Sequence, residues 1–374
     1  MRIAVQLLLA ALGAASRMPQ ASPHSLRGEM SSHGSAGTPA RPQVSLVPMD
    51  APILLAVPNV SEGRDETTIA ALRTAFAGAE STWPQGKETG SPGEHAPGTG
   101  APRARLIDVH SDADHHRSVF TLAARPGRLA DAVLAGARVA VEQIDVMSRA
   151  DLERSQAGQH PHVGALDVAP VVYVDERSRG TACAEALVIA DRLGEELDVP
   201  VFLYGELTEA DSTPARTRAQ LRRGGAGAMA GRIARGELRP DFGPPRMHPS
   251  AGATLVAARP PLVAFNLQLA SPATIADAQR IAATVREGGS EGLPGVRAIA
   301  VALSGDIAQV SMNVERPFEV SLAMVAEAVG RHARIAGAEL VGLAPRAALE
   351  GFPASIEIQG HDPERHVLEN ALGC

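Results

Sequence analysis

The sequence predicts an α+β protein in which one order of elements, β-α-β-β-α-β, occurs twice along the chain. Short apolar runs alternate with longer segments whose apolar residues recur at helical spacing, and this alternation restarts at Pro261 after a stretch rich in proline and glycine. The 374 residues are enough for two such units. Because small-molecule sites are common at domain interfaces, we expect a substrate cleft or tunnel between the halves.

In the first copy, strands are expected at residues 53–57, 105–109, 118–123 and 168–174, with helices at 65–77 and 128–146. The second and third strands flank a predicted turn, His110–Arg117, that holds three histidines and two aspartates. A further helix at 180–197 and a strand at 201–204 follow. The arginine-rich stretch up to residue 239 is expected to be helical in parts, and residues 251–258 are apolar and small.

In the second copy, strands are expected at residues 262–269, 296–303, 307–314 and 339–343, with helices at 274–286 and 318–336. A Ser-Gly-Asp turn at 304–306 joins the middle two strands as a hairpin. Both copies have the element order of a ferredoxin-like fold, so we predict tandem subdomains at 49–259 and 260–350, followed by a weakly patterned tail at 351–374.

Two further segments lack this patterning. Residues 1–16 have one arginine, an apolar run and small residues, which is the outline of a secretion signal. Strong patterning begins only after Met49, so we interpret residues 1–48 as a disordered or artefactual extension and expect a cytoplasmic protein. Residues 80–104, rich in Pro, Gly, Ser and charge, are predicted to be a disordered insertion.

Composition excludes several function classes. The net charge of −7 and the 3% content of aromatic residues argue against nucleic acid as a partner. The apolar run at the N-terminus is too short for an ordinary membrane span, and no membrane partner is expected. Two cysteines form neither a zinc pattern nor a disulfide framework.

The stretch 157–168 (AGQHPHVGALDV) places His160 and His162 on either side of Pro161, directly before an apolar run. Proline disfavours helix at the residue before it, so a rigid turn would present the histidine at the mouth of a buried strand. Such a histidine can serve as a general acid/base or can satisfy a loop hydrogen bond. These residues alone do not choose between His160 and His162.

Three other groups have both a functional and a structural interpretation. Imidazole and carboxylate groups suit divalent metals, but their spacing at 110–116 matches no known ligand motif, and we expect no metal. The arginines at 216–223 fit either a carboxylate-binding surface or a solvated helix face. The stiff loop at 241–252 fits either a cradle for a flat heterocycle or a connector between domains.

Several motifs, taken in order, resemble the glutamate formimidoyltransferase family, which includes the N-terminal part of formimidoyltransferase-cyclodeaminase. The resemblance covers about residues 52–345 and excludes the cyclodeaminase part. Its motifs are VPNVSEGRD (57–65), LIDVHSDADHHRSVFTL (106–122), GQHPHVGALDV (158–168), GEELDVPVFLYGE (194–206), RPDFGPPRMHPSAGAT (239–254), LVAFNLQL (262–269), IAQVSMNV (307–314) and ELVGLAP (339–345).

The resemblance implies transfer of a formimino group from N-formimino-L-glutamate to N5 of tetrahydrofolate, the co-substrate, giving 5-formiminotetrahydrofolate and L-glutamate. It also implies a homodimer that acts in histidine and one-carbon metabolism. It assigns the acid/base role to His160. It places folate on a loop made of Gly243, Pro244, Pro245, Arg246, Met247, His248, Pro249, Ser250, Ala251 and Gly252.

The implied substrates suggest further binding residues. Two substrates with several carboxylates call for arginines, and Arg117 and Arg222 are the candidates. Asn59 and Tyr204 are candidates for orienting the amidine. Three alternatives remain: one-carbon transfer from formylglutamate or 5-formyltetrahydrofolate, a metal-dependent hydrolase that uses the His110–His116 cluster, and a non-catalytic folate-binding protein.

Overall fold

The computed structural model describes residues 52–78, 104–148, 161–208 and 215–373. These residues form two β-sheets with helices packed on them, which confirms the α+β class. No helix in these four ranges is both long and apolar enough to cross a lipid bilayer. The expected extension at 1–48 lies outside the described residues, as does the expected insertion at 80–104 apart from Ala104, which is buried.

The first sheet contains the strands β1 (Leu54–Ala56), β2 (Asn59–Val60), β3 (Arg105–Asp112), β4 (Arg117–Ala124), β5 (Leu166–Tyr173), β6 (Val201–Leu203) and β7 (Thr254–Arg259). β1 and β2 both lie between β4 and β5, and β3 flanks β4. β7 and then β6 extend the sheet beyond β5. The pairs β5–β7 and β6–β7 are parallel, whereas the other pairs are antiparallel.

The helices of this half are α1 (Glu66–Ala77), α2 (Leu129–Gln143), α3 (Arg179–Glu196), α4 (Arg218–Arg222) and α5 (Gly225–Ala234). α1 to α3 bury their apolar faces against the sheet in one core. Asp65 starts α1, because its carboxylate accepts hydrogen bonds from the backbone N–H groups of Thr67 and Thr68 at 3.1 and 3.3 Å. Residues of α4 and α5 join a separate core with β5 to β7.

The second sheet contains β8 (Val263–Leu269), β9 (Val296–Leu303), β10 (Ile307–Val314), β11 (Ile335–Val341) and β12 (Ile358–Gln359), in the order β12-β11-β8-β10-β9. Side chains of a strand alternate between faces, so Val263, Phe265 and Leu267 pack against α6 (Ile275–Val285) and α7 (Leu322–Gly330). Ala264 and Asn266 point the other way, towards the first sheet. The remaining helices are α8 (Arg346–Leu349) and α9 (Leu368–Leu372).

Three differences from the predicted elements have local causes. β3 runs on to Asp112, because the β3–β4 ladder continues until Asp112 pairs with Arg117. The helix predicted at 318–336 is shorter, because the Ser321 hydroxyl caps α7 and β11 already begins at Ile335. The apolar stretch at 251–258 forms most of β7, a central strand that we did not predict.

Candidate active site

A cleft of about 650 Å³ lies between the two sheets. Residues of β1 to β5 line one side, and residues of β8 to β11 line the other. Leu55, Val168 and Val172 contribute apolar surface from the first sheet, whereas Asn266 and Asn313 contribute amide groups from the second. Mostly apolar cavities of this volume with a few polar groups are typical small-molecule sites. The cleft is therefore the candidate active site.

Arginine dominates the charge of this cleft. The lining contains two carboxylates, those of Asp112 and Glu287. It contains six arginines, which are Arg117, Arg218, Arg222, Arg259, Arg286 and Arg297. Guanidinium groups bind carboxylates bidentately, so the cleft suits ligands with several carboxylates. Three of the six, at 259, 286 and 297, were not predicted from the sequence, because they lie far apart along the chain or outside any run of positive charge.

Arg222 and Arg117 approach the cleft from a buried ionic cluster around Asp167. The Asp167 side chain is fully buried and accepts hydrogen bonds from Arg222 and from the backbone N–H of Val163, the latter at 2.8 Å. Arg117 Nη2 lies 4.0 Å from the same carboxylate. Burial alone would raise the pKa of Asp167, but the positive charge of Arg222, aided by Arg117, holds it below the usual value. Two guanidinium groups thus share one carboxylate at the edge of the cleft.

His162 belongs to the same buried cluster and does not line the cleft. Only 5% of its surface is exposed. The Ser61 hydroxyl lies 2.6 Å from its Nδ1 and donates a hydrogen bond to the carbonyl of Gly164 at 2.7 Å. Burial, and then the positive charge of Arg117, lowers the pKa of His162 to about 3. The ring is therefore neutral at physiological pH and ties the motif at 157–168 to the turn after β2.

That turn, residues 61–65, supports the β3–β4 hairpin. The buried Glu62 carboxylate accepts hydrogen bonds from the backbone N–H groups of Gly63, Arg64 and Asp65 at 3.1, 2.9 and 3.1 Å. A Cβ atom on Gly63 would lie 2.1 Å from the carbonyl oxygen of Asp112, so only glycine fits against the hairpin. The motif VPNVSEGRD therefore fixes the end of the hairpin that faces the cleft.

The histidines of this hairpin are held by three different carboxylates. His110 Nε2 lies 3.2 Å from Glu339 Oε1 on the second sheet. His115 Nδ1 lies 2.5 Å from Asp112 Oδ2, and His116 Nδ1 lies 3.3 Å from the Glu62 carboxylate. Burial alone would lower the pKa of His110, but the Glu339 carboxylate beside the ring raises it. Within the described ranges, no group of three or more His, Cys, Asp or Glu residues is arranged to hold a metal ion.

The other predicted site residues divide between the cleft and its surroundings. Asn59 lines the cleft and donates a hydrogen bond from Nδ2 to the carbonyl of Val57 at 3.0 Å. Tyr204 does not line it and packs in the core shared by β5 to β7 and α4 to α5. His160 lies outside the described residues.

The predicted folate loop, 243–252, also does not line the cleft. It packs instead against the histidine motif, because Gly164 and Gly252 form an isolated β-bridge and the N–H of Ala165 donates to the carbonyl of Ala251 at 2.8 Å. The carbonyl of Ser250 accepts from the N–H of Val146 at 2.9 Å. The loop thus lies beside both described ends of the segment that contains His160.

Comparisons with known proteins identify the family to which the chain is similar. A family model described as the formiminotransferase domain, N-terminal subdomain, matches residues 53–259. The chain is 32% identical over 329 residues to a Streptococcus pyogenes serotype M1 protein named glutamate formimidoyltransferase, covering 86% of this chain and 99% of that protein. A Thermoplasma acidophilum protein of the same name is 29% identical over 323 residues, covering 84% of this chain and 96% of that protein.

Similarity also extends to a larger protein. The chain is 36% identical over 304 residues to formimidoyltransferase-cyclodeaminase of Gallus gallus, which covers 78% of this chain and 50% of that protein. The chain thus spans about half the length of this relative. From the family model and these identities, the chain belongs to the glutamate formimidoyltransferase family of one-carbon group transferases.

Proposed function

We propose that this enzyme transfers the formimino group of N-formimino-L-glutamate to N5 of tetrahydrofolate, giving 5-formiminotetrahydrofolate and L-glutamate. The observation that carries the proposal is the cleft, in which six arginines face two carboxylates. Donor and acceptor both carry carboxylates, which guanidinium groups bind well. The name glutamate formimidoyltransferase, borne by two of the relatives, supports the choice of donor.

In this proposal, His160 is the general acid/base. N5 must lose a proton as it attacks the formimino carbon, and the glutamate nitrogen must gain one as it leaves. An imidazole with a pKa near 6.5 performs both transfers in turn, and such catalysis contributes about 10²–10⁴-fold to the rate. The buried pairing of Asp167 with Arg222, a cleft residue, supports the assignment, because it ties the motif that contains His160 to the cleft.

The binding residues belong partly to the cleft and partly to its surroundings. Arg117 and Arg222 bind substrate carboxylates, and Asn59 and Tyr204 orient the amidine; Arg117, Arg222 and Asn59 line the cleft. The loop at 243–252 binds folate beside the motif, and its bridge from Gly252 to Gly164 supports that placement. Tetrahydrofolate is a co-substrate in this scheme, and no metal is required.

We further propose two tandem ferredoxin-like subdomains, at 49–259 and 260–350, in a cytoplasmic homodimer. Strand order supports the subdomains. In the second sheet the order β11-β8-β10-β9 places the first and third strands of the repeat at the centre. In the first sheet, β5, the β1–β2 pair, β4 and β3 follow one another in the equivalent order.

The test is an assay of the purified protein with formiminoglutamate and tetrahydrofolate. Acid treatment converts 5-formiminotetrahydrofolate to the 5,10-methenyl compound, which is followed by its absorbance. We expect product that depends on both substrates and on enzyme concentration. No product from formiminoglutamate, with turnover of 5-formyltetrahydrofolate or formylglutamate instead, would reject the proposed donor.

A further inference from the structure

We infer that Asp112 binds the amidinium group of the donor and thereby selects a formimino donor over a formyl donor. This inference rests on the proposed function and adds a specificity-determining residue to the same site. N-formimino-L-glutamate carries an amidine, which is protonated and positive at neutral pH. N-formyl-L-glutamate has the same carboxylates but carries a neutral formamide. A single negative group in an arginine-rich cleft can therefore tell the two donors apart.

Asp112 has the required position and free bonding capacity. It is the last residue of β3, lines the cleft, and keeps 17% of its side chain exposed. Oδ2 lies 2.5 Å from His115 Nδ1, and Oδ1 accepts a hydrogen bond from the backbone N–H of His115 at 2.9 Å. A carboxylate has about four lone-pair sites, so these two bonds hold Asp112 in place and leave room for a further donor.

Asp112 is also charged when substrate binds. Burial alone would raise its pKa, but the two hydrogen bonds from His115 outweigh burial and lower the pKa to about 2. The other acid in the lining, Glu287, is already engaged by Arg297 Nη2 at 3.3 Å and by the backbone N–H of Gly295 at 3.0 Å. The side-chain partner of Asp112 is a histidine, whereas that of Glu287 is an arginine, so Asp112 is the cleft carboxylate that we expect to receive a cationic ligand.

Arg117, the neighbour of Asp112, is placed to bind the α-carboxylate of the donor. Asp112 and Arg117 face each other directly in the β3–β4 ladder, and both line the cleft. Opposed residues of this kind have Cβ atoms about 4.5–5.5 Å apart. In formiminoglutamate, the amidinium nitrogen and the α-carboxylate are attached to the same carbon, so a negative and a positive side chain side by side fit them together. An amidinium also presents two N–H groups in a plane, as guanidinium does to a carboxylate.

Rejection of the formyl donor follows from the same geometry. A neutral formamide in this position would desolvate the Asp112 carboxylate without an opposite charge to offset the cost. Sites built around a charged or hydrogen-bonded partner reject analogues that lack it far more strongly than apolar pockets do. The hydrogen bonds of Asp112 to His115 preorganise the carboxylate for this discrimination.

The test measures KM for formiminoglutamate and the inhibition constant of N-formyl-L-glutamate against it, for wild type and Asp112→Asn. A lost charge-assisted interaction costs about 1.5–3 kcal/mol, which is roughly 10–100-fold. We expect Asp112→Asn to raise KM for formiminoglutamate by that factor and to leave the formylglutamate constant unchanged or lower. Asp306→Asn, which removes the same charge from an exposed turn outside the cleft, should leave both constants unchanged.

Two results would overturn the inference. One is a parallel weakening of both ligands in Asp112→Asn, which would indicate a structural role only. The other is that the wild-type enzyme binds formylglutamate as tightly as formiminoglutamate. This result needs no variant, so it can be obtained even if Asp112→Asn fails to fold. If wild type turns over no formiminoglutamate at all, the proposed function fails first, and the assay separates that outcome from a loss of discrimination alone.

Discussion

At the scale of single residues, His162 and Asp112 have opposite electrostatic surroundings. His162 is buried beside Arg117 and Arg222, which disfavours a second positive charge. Asp112 accepts two hydrogen bonds from His115, which favours its negative charge. The neutral ring of His162 therefore serves the fold, and the ionised carboxylate of Asp112 remains available to a ligand.

The depressed pKa of His162 predicts a pH-dependent stability. The unfolded chain protonates this residue near pH 6.5 and the folded protein only near pH 3, so acid favours the unfolded state. The contribution is complete above pH 6.5 and is lost as pH falls towards 3. We expect His162 to lower the free energy of unfolding by about 2 kcal/mol between pH 7 and pH 5.

Chemical denaturation of wild type and His162→Asn at pH 7 and pH 5 measures this effect. The variant should be less stable at pH 7 but should lack that part of the pH dependence. The same fall in both proteins would show that His162 is not the group responsible.

Arg117 and Arg222 were named from the sequence because the implied substrates carry carboxylates, and both line the cleft. Their contact with the Asp167 carboxylate was not predicted, because Asp167 and Arg222 are 55 positions apart and a single sequence does not reveal such a pair. The same holds for the contact between His110 and Glu339, which joins strands of different sheets.

At the scale of elements, the close approach of the histidine motif to the loop at 243–252 depends on Gly164. A Cβ atom there would lie 1.9 Å from the carbonyl oxygen of Ala253, and this backbone cannot move aside without breaking the Gly164–Gly252 bridge. Gly164 therefore allows the histidine motif and the loop at 243–252 to pack together, as the proposed mechanism requires.

Substitution of Gly164 by alanine should destabilise the protein by about 1–3 kcal/mol, the usual cost of overpacking. A matched control is Gly180→Ala in α3, where an added Cβ meets nothing within 4 Å and should stabilise by roughly 0.5–1 kcal/mol. Thermal or chemical unfolding of the two variants gives both values. Equal effects would mean that the contact at Gly164 is not tight.

Elements whose apolar residues recur at a regular spacing were predicted well from the sequence, and elements without such a spacing were not. β9 and β10 have the bounds that their alternation predicts. β7 was missed, because residues 251–258 include four alanines and the strand is buried between parallel neighbours, where no alternation is expected. The predicted helix at 318–336 was too long, because the apolar period continues across the cap of α7 into β11.

At the scale of the whole molecule, the tail connects both sheets. β12 pairs with β11 of the second sheet, whereas Leu368 of α9 packs with Leu55 and Val172 of the first. Leu368 also lines the cleft. This role was not predicted, because the apolar residues of 351–374 do not recur at a regular spacing. A segment that packs through a few side chains does not need such a spacing.

We expect Leu368→Ala to lower the free energy of unfolding by about 2–5 kcal/mol, because it leaves a cavity among buried side chains. Leu55 and Val172 should become more exposed, and KM should rise with the widened cleft. Denaturation and steady-state kinetics on the same preparation check both effects. Wild-type stability in this variant would show that the tail does not hold the sheets together.

The most direct test of the central claim, that His160 carries out acid/base catalysis of formimino transfer, is kcat of His160→Gln with formiminoglutamate and tetrahydrofolate. His332→Gln is a matched control, since His332 lies outside the cleft beside Glu291. We expect kcat to fall about 10²–10⁴-fold in His160→Gln, with an unchanged unfolding temperature, and to stay at the wild-type value in the control. Near wild-type kcat in a folded His160→Gln protein would contradict the claim.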